Sequence, residues 1–352
     1  MPDSVVIIDG DRVMAAGPRH QIRIPPGAVA VDATDLTVLP GLIDMHTHLI
    51  PGVDVGKFLR YGITSVRHMG DTTLEWIENL KAEVESGRRA GPRIFHCGRF
   101  VVSEPPLDRA IYPEGVLDRY EIMHGPGDAP KVIEELKKAG ADLVKVKAHM
   151  TPECLAALCK AAAEAGLTVS FDNSGGHSYT TMDALEAGAK GVEHLSGIDF
   201  SQPGEPERVM NEMLRAGAFA DPTFAVLTRT FGEARMEARR EFIRQFNQRG
   251  GLVVAGTDAP TQGTPVGASL HEELVHLTES GLTPMEAISA ATGAAARALG
   301  YRGLVGTIEP GAYADLLIVR GSPQVVIQDT RNIQRVFKGG VQVWARPGLS
   351  KP

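Results

Sequence analysis

PGLIDMHTHL, residues 40–49, ends an apolar run with two histidines that lie two positions apart. In a β-strand, side chains at positions i and i+2 point to the same face, so His46 and His48 would both aim inward from one strand end. A helical zinc motif would instead place its histidines at i and i+4. Neutral imidazole nitrogen suits zinc and related divalent metals. The pair is therefore a candidate metal site, the alternative being one hydrogen-bonded core histidine and one histidine on a rim.

The segment from residue 40 to about residue 300 alternates short β-branched runs with amphipathic helical stretches, a pattern typical of parallel βα units. The candidate strands are residues 40–46, 62–67, 92–96, 142–147, 167–172, 190–194, 217–220 and 251–257. Eight strands with intervening helices over roughly 250 residues predict a closed (β/α)8 barrel. The active site of such a barrel lies where the carboxyl-terminal strand ends meet the following loops.

Three further polar residues end these apolar runs or lie near their ends. Lys145 lies within DLVKV, His194 ends GVEH, and Asp258 ends GLVVAGTD. For these residues the alternatives are a lysine reaching the barrel rim, a hydrogen-bonded core histidine and a helix N-cap. In a closed barrel all three would meet the histidine pair at one mouth.

At these residues the chain resembles the amidohydrolase superfamily, and more narrowly its imidazolonepropionase and prolidase-like branch. The resemblance covers nearly the whole length, and the segments that carry it occur in the family's order. They are PGLIDMHTHL, YGITSVRHMGD, GPRIFHCGR, GADLVKVKA, ALEAGAKGVEHL, AGTDAP, SLHEELVHLTESGLTPMEAISAATGAAARALG and GTIEPGAYADLLIV. Several motifs in one order are far more specific than any single motif.

The resemblance implies that both termini combine into a small β-sandwich beside the barrel. Residues 4–38 and 304–346 contain short alternating strands with turn signals and no helical period. We therefore expect a sandwich domain formed by residues 1–39 and 304–352, and a barrel domain formed by residues 40–303.

The resemblance also implies two divalent metal ions, with zinc as the first choice and manganese, cobalt and iron as chemically acceptable alternatives. In the family the strand-four lysine is carboxylated by carbon dioxide, and the resulting carbamate bridges the two ions. Lys145 takes this position in GADLVKV, and Lys147, two residues further along the same face, is the rival candidate. The implied metal ligands are then His46, His48, Lys145, His194 and Asp258.

Strand five departs from the family pattern. Relatives end this strand with a histidine that binds the second ion, whereas GLTVSFD ends in Asp172, and the nearest histidine is His177 beyond NSGG. Three interpretations stay open: Asp172 replaces the histidine as a ligand, the glycine-containing loop brings His177 to the metal, or the second ion binds weakly. Aspartate oxygen is an acceptable zinc ligand, and we favour Asp172 as the residue at the strand end.

The chemistry implied by this set is hydrolysis of an amide or a related carbon centre. Two ions would lower the pKa of a water held between them and polarise a carbonyl group. Asp258 would accept the proton of that water and pass it to the leaving nitrogen. The candidate substrate contacts, each with a supporting role as an equal alternative, are Arg67, His68, Arg99, Tyr112, His149 and His271. His68 stands where relatives more often carry aspartate, so any role of that aspartate is in doubt.

Composition agrees with an enzyme that acts on a small molecule. Charged residues make up 22% of the 352 residues, and the net charge of -7 offers no basic surface for nucleic acid. No apolar run approaches the roughly 18 residues that would cross a membrane, and the N-terminus lacks a signal-peptide pattern. The three cysteines show no zinc-site or redox spacing, which favours a reducing cytoplasm. We therefore expect a cytoplasmic protein without nucleic-acid or membrane partners, and leave a homo-oligomer open.

Three functions follow from these observations. The first is a binuclear amidohydrolase for a small amide such as a dipeptide or an N-acyl amino acid. The second is a mononuclear deaminase or cyclic-amide hydrolase on the same barrel, against which the bridging lysine argues. The third is a metal-binding relative that has lost activity, for which the unusual Asp172 and His68 are the grounds.

Overall fold

The structure, a computed structural model, describes residues 3–103, 117–174 and 178–349. In chain order the strands are β1 (Ser4–Asp9), β2 (Arg12–Pro18), β3 (Leu36–Pro40), β4 (Leu42–Thr47), β5 (Ile63–His68), β6 (Arg93–His96), β7 (Phe100–Ser103), β8 (Tyr120–Met123), β9 (Leu143–Lys147), β10 (Thr168–Asp172), β11 (Gly191–Glu193), β12 (Phe219–Asp221), β13 (Leu252–Val253), β14 (Leu316–Arg320), β15 (Ile333–Lys338) and β16 (Val341–Ala345). The α-helices are α1 (Gly56–Arg60), α2 (Leu74–Glu85), α3 (Ala129–Lys138), α4 (Pro152–Glu164), α5 (Thr181–Ala187), α6 (Glu205–Ala216), α7 (Phe224–Phe231), α8 (Glu237–Gln248), α9 (Ala268–Glu279), α10 (Pro284–Ala290) and α11 (Gly293–Leu299).

A closed barrel of parallel strands forms the centre of the fold. β4, β5 and β6 pair in that order, and β7, β9, β10, β11, β12 and β13 continue around the barrel. β6 and β7 are consecutive in the chain and together occupy the third strand position of the barrel. The amide of Asp142, just before β9, donates to the carbonyl of His96 at the end of β6. The first and last strands meet where the amide of Met45 donates to the carbonyl of Ala255 at 2.9 Å. The predicted (β/α)8 barrel is confirmed.

Burial on both faces explains why the barrel strands read as apolar runs. All six residues of β4 and all six of β5 are buried. Strands covered on one side by helices and filled on the other by barrel side chains need apolar residues in succession, not in alternation. The polar residues in these strands are therefore exceptions that need partners or a function.

Helix ends follow the signals in the sequence. α4 begins after Thr151, whose hydroxyl accepts a hydrogen bond from the amide of Cys154. α10 begins after Thr283, which forms a reciprocal capping box with Glu286. These caps satisfy amide groups that lack partners within the first helical turn, and so they fix where the chain turns from loop to helix.

The two ends of the chain form antiparallel sheets beside the barrel. β1 and β2 form a hairpin, while β16, β15, β14 and β3 form a four-stranded sheet in that order. β14 pairs with β3 so that Leu316 lies opposite Pro40, directly before the first barrel strand. Together these sheets form the small sandwich that was expected from both termini. The domain boundaries at residues 39/40 and 303/304 stay a prediction.

The main hydrophobic core lies between the barrel strands and the surrounding helices. It includes Phe58 of α1, Phe171 of β10 and Phe246 of α8, all fully buried. Burial of a side chain of this size contributes about 1.5–3 kcal/mol, so this layer holds the strand ends in fixed positions. Within the described ranges, none of the helices has the length and apolar character needed to cross a bilayer.

Candidate active site

The polar residues predicted at strand ends lie together at the carboxyl-terminal mouth of the barrel. The ring centroid of His46 lies 5.4 Å from that of His48 and 4.5 Å from that of His194. The charge of Lys145 lowers the pKa of both His46 and His194, in addition to the larger effect of burial. The predicted metal residues that the structure brings together are His46, His48, Lys145, Asp172, His194 and Asp258.

His46, His48 and Asp258, which we call the first ligand group, converge from the first and last strands. Oδ1 of Asp258 lies 2.9 Å from Nε2 of His48 and 3.6 Å from Nε2 of His46. One ligand atom from each residue lies within 4.8 Å of the other two. The amide of Asp258 donates to the carbonyl of His46 at 2.7 Å, which fixes the two chain segments against each other. Two imidazoles and one carboxylate in this arrangement form a donor set that fits a divalent transition metal.

The other ring nitrogen of each site histidine has a protein partner. Nδ1 of His46 lies 2.7 Å from Oε2 of Glu193, and Nδ1 of His48 lies 2.9 Å from the carbonyl of Gly70. Carboxylate and carbonyl oxygens only accept, so each Nδ1 carries a proton, and Nε2 is the nitrogen left to face Asp258. Burial, followed by the charge of Lys145, holds the pKa of His46 well below its usual range. His46 is therefore neutral, with its free nitrogen directed toward Asp258, as a metal ligand requires.

Arg67 lies in a different place from the substrate contact that the sequence suggested. It is only 1% exposed, and its guanidinium donates to Glu193 at 2.8 and 2.9 Å and to Asp221 at 3.1 Å. It also donates to Ser170 and to the carbonyl of Met45. Burial alone would raise the pKa of Glu193, but Arg67 and other nearby cations hold that pKa well below its usual range. Arg67 thus keeps Glu193 ionised beneath His46, and its guanidinium does not line the mouth.

A second buried carboxyl group supports the loop that carries Asp258. Asp44 accepts hydrogen bonds from the amide of Thr257 at 3.1 Å and from its hydroxyl at 2.8 Å. Burial raises the pKa of Asp44 to about 7. Gly256 allows this packing, because a Cβ at that position would lie 2.5 Å from Asp221 and 2.6 Å from Cβ of His46. Asp44 and Thr257 therefore fix the backbone next to the carboxylate of Asp258.

Lys145, Asp172 and His194, which we call the second ligand group, come from β9, β10 and the end of β11. Lys145 is 1% exposed, and within the described ranges Nζ has no hydrogen-bond acceptor. Burial lowers the pKa of this amine. A buried amine without a partner is costly, so Lys145 is an exception in an apolar strand that needs a function. In the register of β9 against β10, Lys145 lies opposite Ser170, whose hydroxyl accepts from Arg67 of the buried network.

Asp172 occupies the inward-facing end of β10, as the sequence suggested. Oδ2 of Asp172 lies 3.8 Å from Nε2 of His194 and 2.6 Å from Nζ of Lys147. Nδ1 of His194 lies 2.7 Å from the hydroxyl of Thr223, so that its Nε2 faces Asp172. Burial opposes ionisation of Asp172, but Lys147, His194 and Lys145 together hold its pKa well below the usual range. The rival residue His177 lies outside the described residues.

The remaining substrate candidates are dispersed. Both ring nitrogens of His68 have partners, the amide of Leu49 at 3.0 Å and the hydroxyl of Thr72 at 2.9 Å. His271 contacts Thr330 and the carbonyl of Tyr61, which precedes β5 and so lies at the opposite barrel end from the ligand groups. These two histidines have structural partners in place of the expected substrate. Arg99 is partly exposed, and its guanidinium lies 3.3 Å from the carboxylate of Glu121. His149 is half-buried in the loop after β9, and Tyr112 lies outside the described residues.

Sequence reasoning missed the residues that support the ligands. Glu193 directly precedes His194, Asp44 lies within the PGLIDMHTHL segment, and Thr223 follows β12. The first two lie in motifs that the sequence had already marked, and a carboxylate inside an apolar run is a detectable signal. Thr223 gave no such signal, because its contact with His194 depends on how two separate strands pair.

Comparison with known proteins finds relatives that match most of the chain. The Amidohydrolase family profile matches residues 37–343. Imidazolonepropionase from Rubrobacter xylanophilus is 28% identical over 370 residues, which cover 89% of this chain and 84% of that protein. Adenine deaminase 3 from Rhizobium meliloti is 26% identical over 347 residues, which cover 90% of this chain but 51% of that protein. The chain thus spans about half the length of this adenine deaminase.

The solved structures agree on the architecture. The crystal structure of a Xaa-Pro dipeptidase with methionine bound in its active site superposes with a TM-score of 0.77 at 24% identity, and covers 97% of this chain and 95% of that one. A likeness at this identity concerns the fold. The family profile, by contrast, extends over most of the chain and includes both ligand groups. The chain belongs to the amidohydrolase family, a family of hydrolases that act on carbon–nitrogen bonds.

Proposed function

We propose that this protein is a metal-dependent amidohydrolase that cleaves a small amide, such as a dipeptide or an N-acyl amino acid. The observation that carries the proposal is the first ligand group, in which His46, His48 and Asp258 converge at one mouth of a parallel barrel. Their nitrogens are oriented by partners on the opposite ring edge, which is how histidines are prepared for metal binding.

Two divalent ions, zinc in the first instance, are part of the proposal. The first ligand group would hold one ion, and His194 and Asp172 would hold the other, with a carbamate on Lys145 shared between them. Bound ions of this kind supply Lewis acidity toward a carbonyl oxygen and lower the pKa of a nearby water. Among the described residues the buried amine of Lys145 has no hydrogen-bond partner, which supports the carbamate: addition of carbon dioxide with loss of a proton would replace the amine by an anionic group that the ions could neutralise.

Asp258 is the proton carrier in this scheme. Burial raises its pKa, but the hydrogen bond to His48 and the nearby His46 and His194 outweigh burial and hold the pKa below its usual range. The carboxylate is therefore ionised and partly exposed at the mouth. It accepts the proton of the attacking water and then donates it to the leaving nitrogen, so that the amide C–N bond breaks and a neutral amine departs.

The buried network beneath the mouth positions these groups. Glu193 orients His46, and Arg67 keeps Glu193 ionised while it also contacts Asp221. Arg99, His149 and Tyr112 stay candidate substrate contacts, Tyr112 as a residue outside the described ranges. The three buried free cysteines, Cys97, Cys154 and Cys159, support a reducing cytoplasm as the location.

The likeness to adenine deaminase keeps a deaminase as the second candidate, since the same barrel would then act on a ring carbon that bears an amino group. The two candidates differ in the bond cleaved and in the product. Release of ammonia from an aminopurine favours the deaminase, whereas release of a free amino acid from a dipeptide or an N-acyl amino acid favours the amidohydrolase.

The test combines a substrate screen with metal removal. Purified protein is screened against dipeptides, N-acyl amino acids, lactams and aminopurines, before and after removal of metal with a chelator. We expect hydrolysis of an amide that is lost with the metal and restored by zinc or manganese. Hydrolysis that persists in metal-free protein contradicts the proposal, and so does full metal binding without turnover of any compound in the library.

A further inference from the structure

Lys147 is the one inward-facing cation of β9 that the proposed chemistry does not use. It lies two residues beyond Lys145 on the same strand face, one step closer to the mouth. In the sheet register Lys147 lies directly opposite Asp172, just as Lys145 lies opposite Ser170. Its side chain is 30% exposed, whereas that of Asp172 is 5% exposed. A partly exposed ammonium group thus contacts a buried carboxylate.

Both oxygens of Asp172 are already engaged by the protein. Oδ2 accepts from Nζ of Lys147 at 2.6 Å, and Oδ1 accepts from the amide of Ser174 at 2.9 Å. Oδ2 is also the oxygen that lies 3.8 Å from Nε2 of His194. An ion held between His194 and Asp172 would need the same oxygen that Lys147 contacts.

In the first ligand group, the ion-pair partners of Asp258 among the described residues are His46 and His48, not a lysine or an arginine. Asp258 lies against the imidazoles of His46 and His48, and a neutral imidazole can itself bind an ion. An ammonium group cannot be a ligand, and at contact distance it repels an incoming cation. The two groups therefore differ in one respect that matters for metal binding. The carboxylate of Asp172 in the second group is neutralised by Lys147.

We infer that Lys147 acts as a built-in cation in the second ligand group, so that the protein holds one divalent ion tightly and a second ion only when that ion displaces Lys147 from Asp172. The inference rests on the proposed metal dependence and refines it. Lys147 is a positioning residue here, because it acts on the ion through Asp172. The second ion then responds to metal concentration, whereas the first is a permanent part of the site.

The structure also offers the released ammonium a second contact. Nζ of Lys147 lies 5.3 Å from the ring centroid of Phe100, a buried residue on the neighbouring strand β7. A cation within about 6 Å of an aromatic face is attracted to it. When a metal ion displaces Lys147 from Asp172, the ammonium group can therefore keep a favourable contact with the ring of Phe100.

The test measures metal binding by the full chain. Metal-free wild type and the variants Lys147→Met, Lys147→Gln and Lys147→Arg are titrated with zinc by calorimetry, and bound zinc per chain is counted by mass spectrometry after equilibration with a buffering chelator. We expect one tight and one weaker ion in the wild type. Lys147→Met and Lys147→Gln should bind the second ion at least about tenfold more tightly, while Lys147→Arg, which keeps the charge, should resemble the wild type.

Matched controls separate this inference from the proposed function. Lys131→Met removes an exposed lysine of α3 and should leave both affinities unchanged. Asp172→Asn added to Lys147→Met should remove the gain. Unchanged or weaker second-ion binding in both neutral Lys147 variants, or two equally tight ions in the wild type, overturns the inference alone. A wild type that binds no zinc overturns the metal-dependent function as well.

Discussion

The two ligand groups at the barrel mouth both contain histidine and aspartate but differ in what holds these residues. In the first group, His46 and His48 come from one strand end and are oriented by Glu193 and a backbone carbonyl. In the second group, Asp172 is held by the charge of Lys147. The first group is thus prepared for a metal cation, whereas in the second group the ammonium of Lys147 already contacts Asp172. We therefore expect the two groups to differ in their affinity for a divalent ion.

Asp258→Asn should give the largest effect and tests the role of the first group in proton transfer. The amide cannot accept the proton of the attacking water, so we expect turnover to fall by roughly 100-fold or more. The fold and most of the bound metal should persist, because the amide oxygen can still face His46 and His48. Steady-state kinetics on the substrate found by the screen, together with metal analysis, provide the check. Near-normal turnover would refute this role for Asp258.

Lys145→Ala tests whether the second group depends on the buried amine. We expect about one ion fewer per chain and a parallel loss of activity, with partial rescue by a short carboxylic acid that takes the place of the carbamate. Lys147→Ala should lower neither. Metal counts and rates with and without added acetate make the measurement. If Lys147 is the sensitive position, the functional lysine lies one inward-facing step further along β9 than we assign it.

Glu193→Gln tests whether the orientation of His46 raises the metal affinity of the first ligand group. The glutamine keeps the shape but loses the charge that Arg67 and His46 share. Loss of such a partner typically costs about 10–100-fold in metal affinity, and we expect a loss near the lower end for the first ion. Competition with a coloured chelator measures it. Glu212→Gln, which removes the charge paired with the exposed Arg215 on α6, is the control. Equal affinity in both variants would show that Glu193 does not prepare His46.

Glu273→Gln should have the smallest effect, on stability alone. Glu273 accepts from the amides of Phe224 and Ala225, next to Thr223, which holds His194. Burial raises its pKa to about 8 from the ordinary 4.5. The folded state therefore binds the proton more tightly, so Glu273 makes the free energy of unfolding fall as pH rises from about 4.5 to about 8.

The slope from this one group is at most about 1.4 kcal/mol per pH unit. Denaturant unfolding of metal-free wild type and of Glu273→Gln across this range measures the difference. We expect the free energy of unfolding to fall less for the variant than for the wild type as pH rises toward 8. Parallel curves for the two proteins would mean that Glu273 does not titrate in this window.

The sequence was most informative where a signal is local. The two histidines at positions 46 and 48 share a face because of strand periodicity alone, and the caps at Thr151 and Thr283 are set by three or four adjacent residues. The (β/α)8 barrel followed from the number and spacing of apolar runs. These features need no knowledge of which strands pair.

Contacts between strands were harder to predict. Arg67 looked like a substrate contact, because a charged residue near a strand end often faces the mouth, yet it lies among Glu193, Asp221 and Ser170, which come from three other strands. The partner of Asp172 likewise depends on the register between β9 and β10. The sequence named both Lys147 and Asp172 but could not show that they contact each other.

The proposed function depends on the binding of a divalent metal by His46, His48 and Asp258 at the barrel mouth. The most direct test is an X-ray structure of the protein equilibrated with zinc, with anomalous scattering recorded on both sides of the zinc absorption edge. We predict an anomalous peak about 2.0–2.2 Å from Nε2 of both His46 and His48 and from an oxygen of Asp258. An anomalous map without a peak at these three residues, from crystals in which zinc is bound elsewhere or not at all, would show that they do not form a metal site.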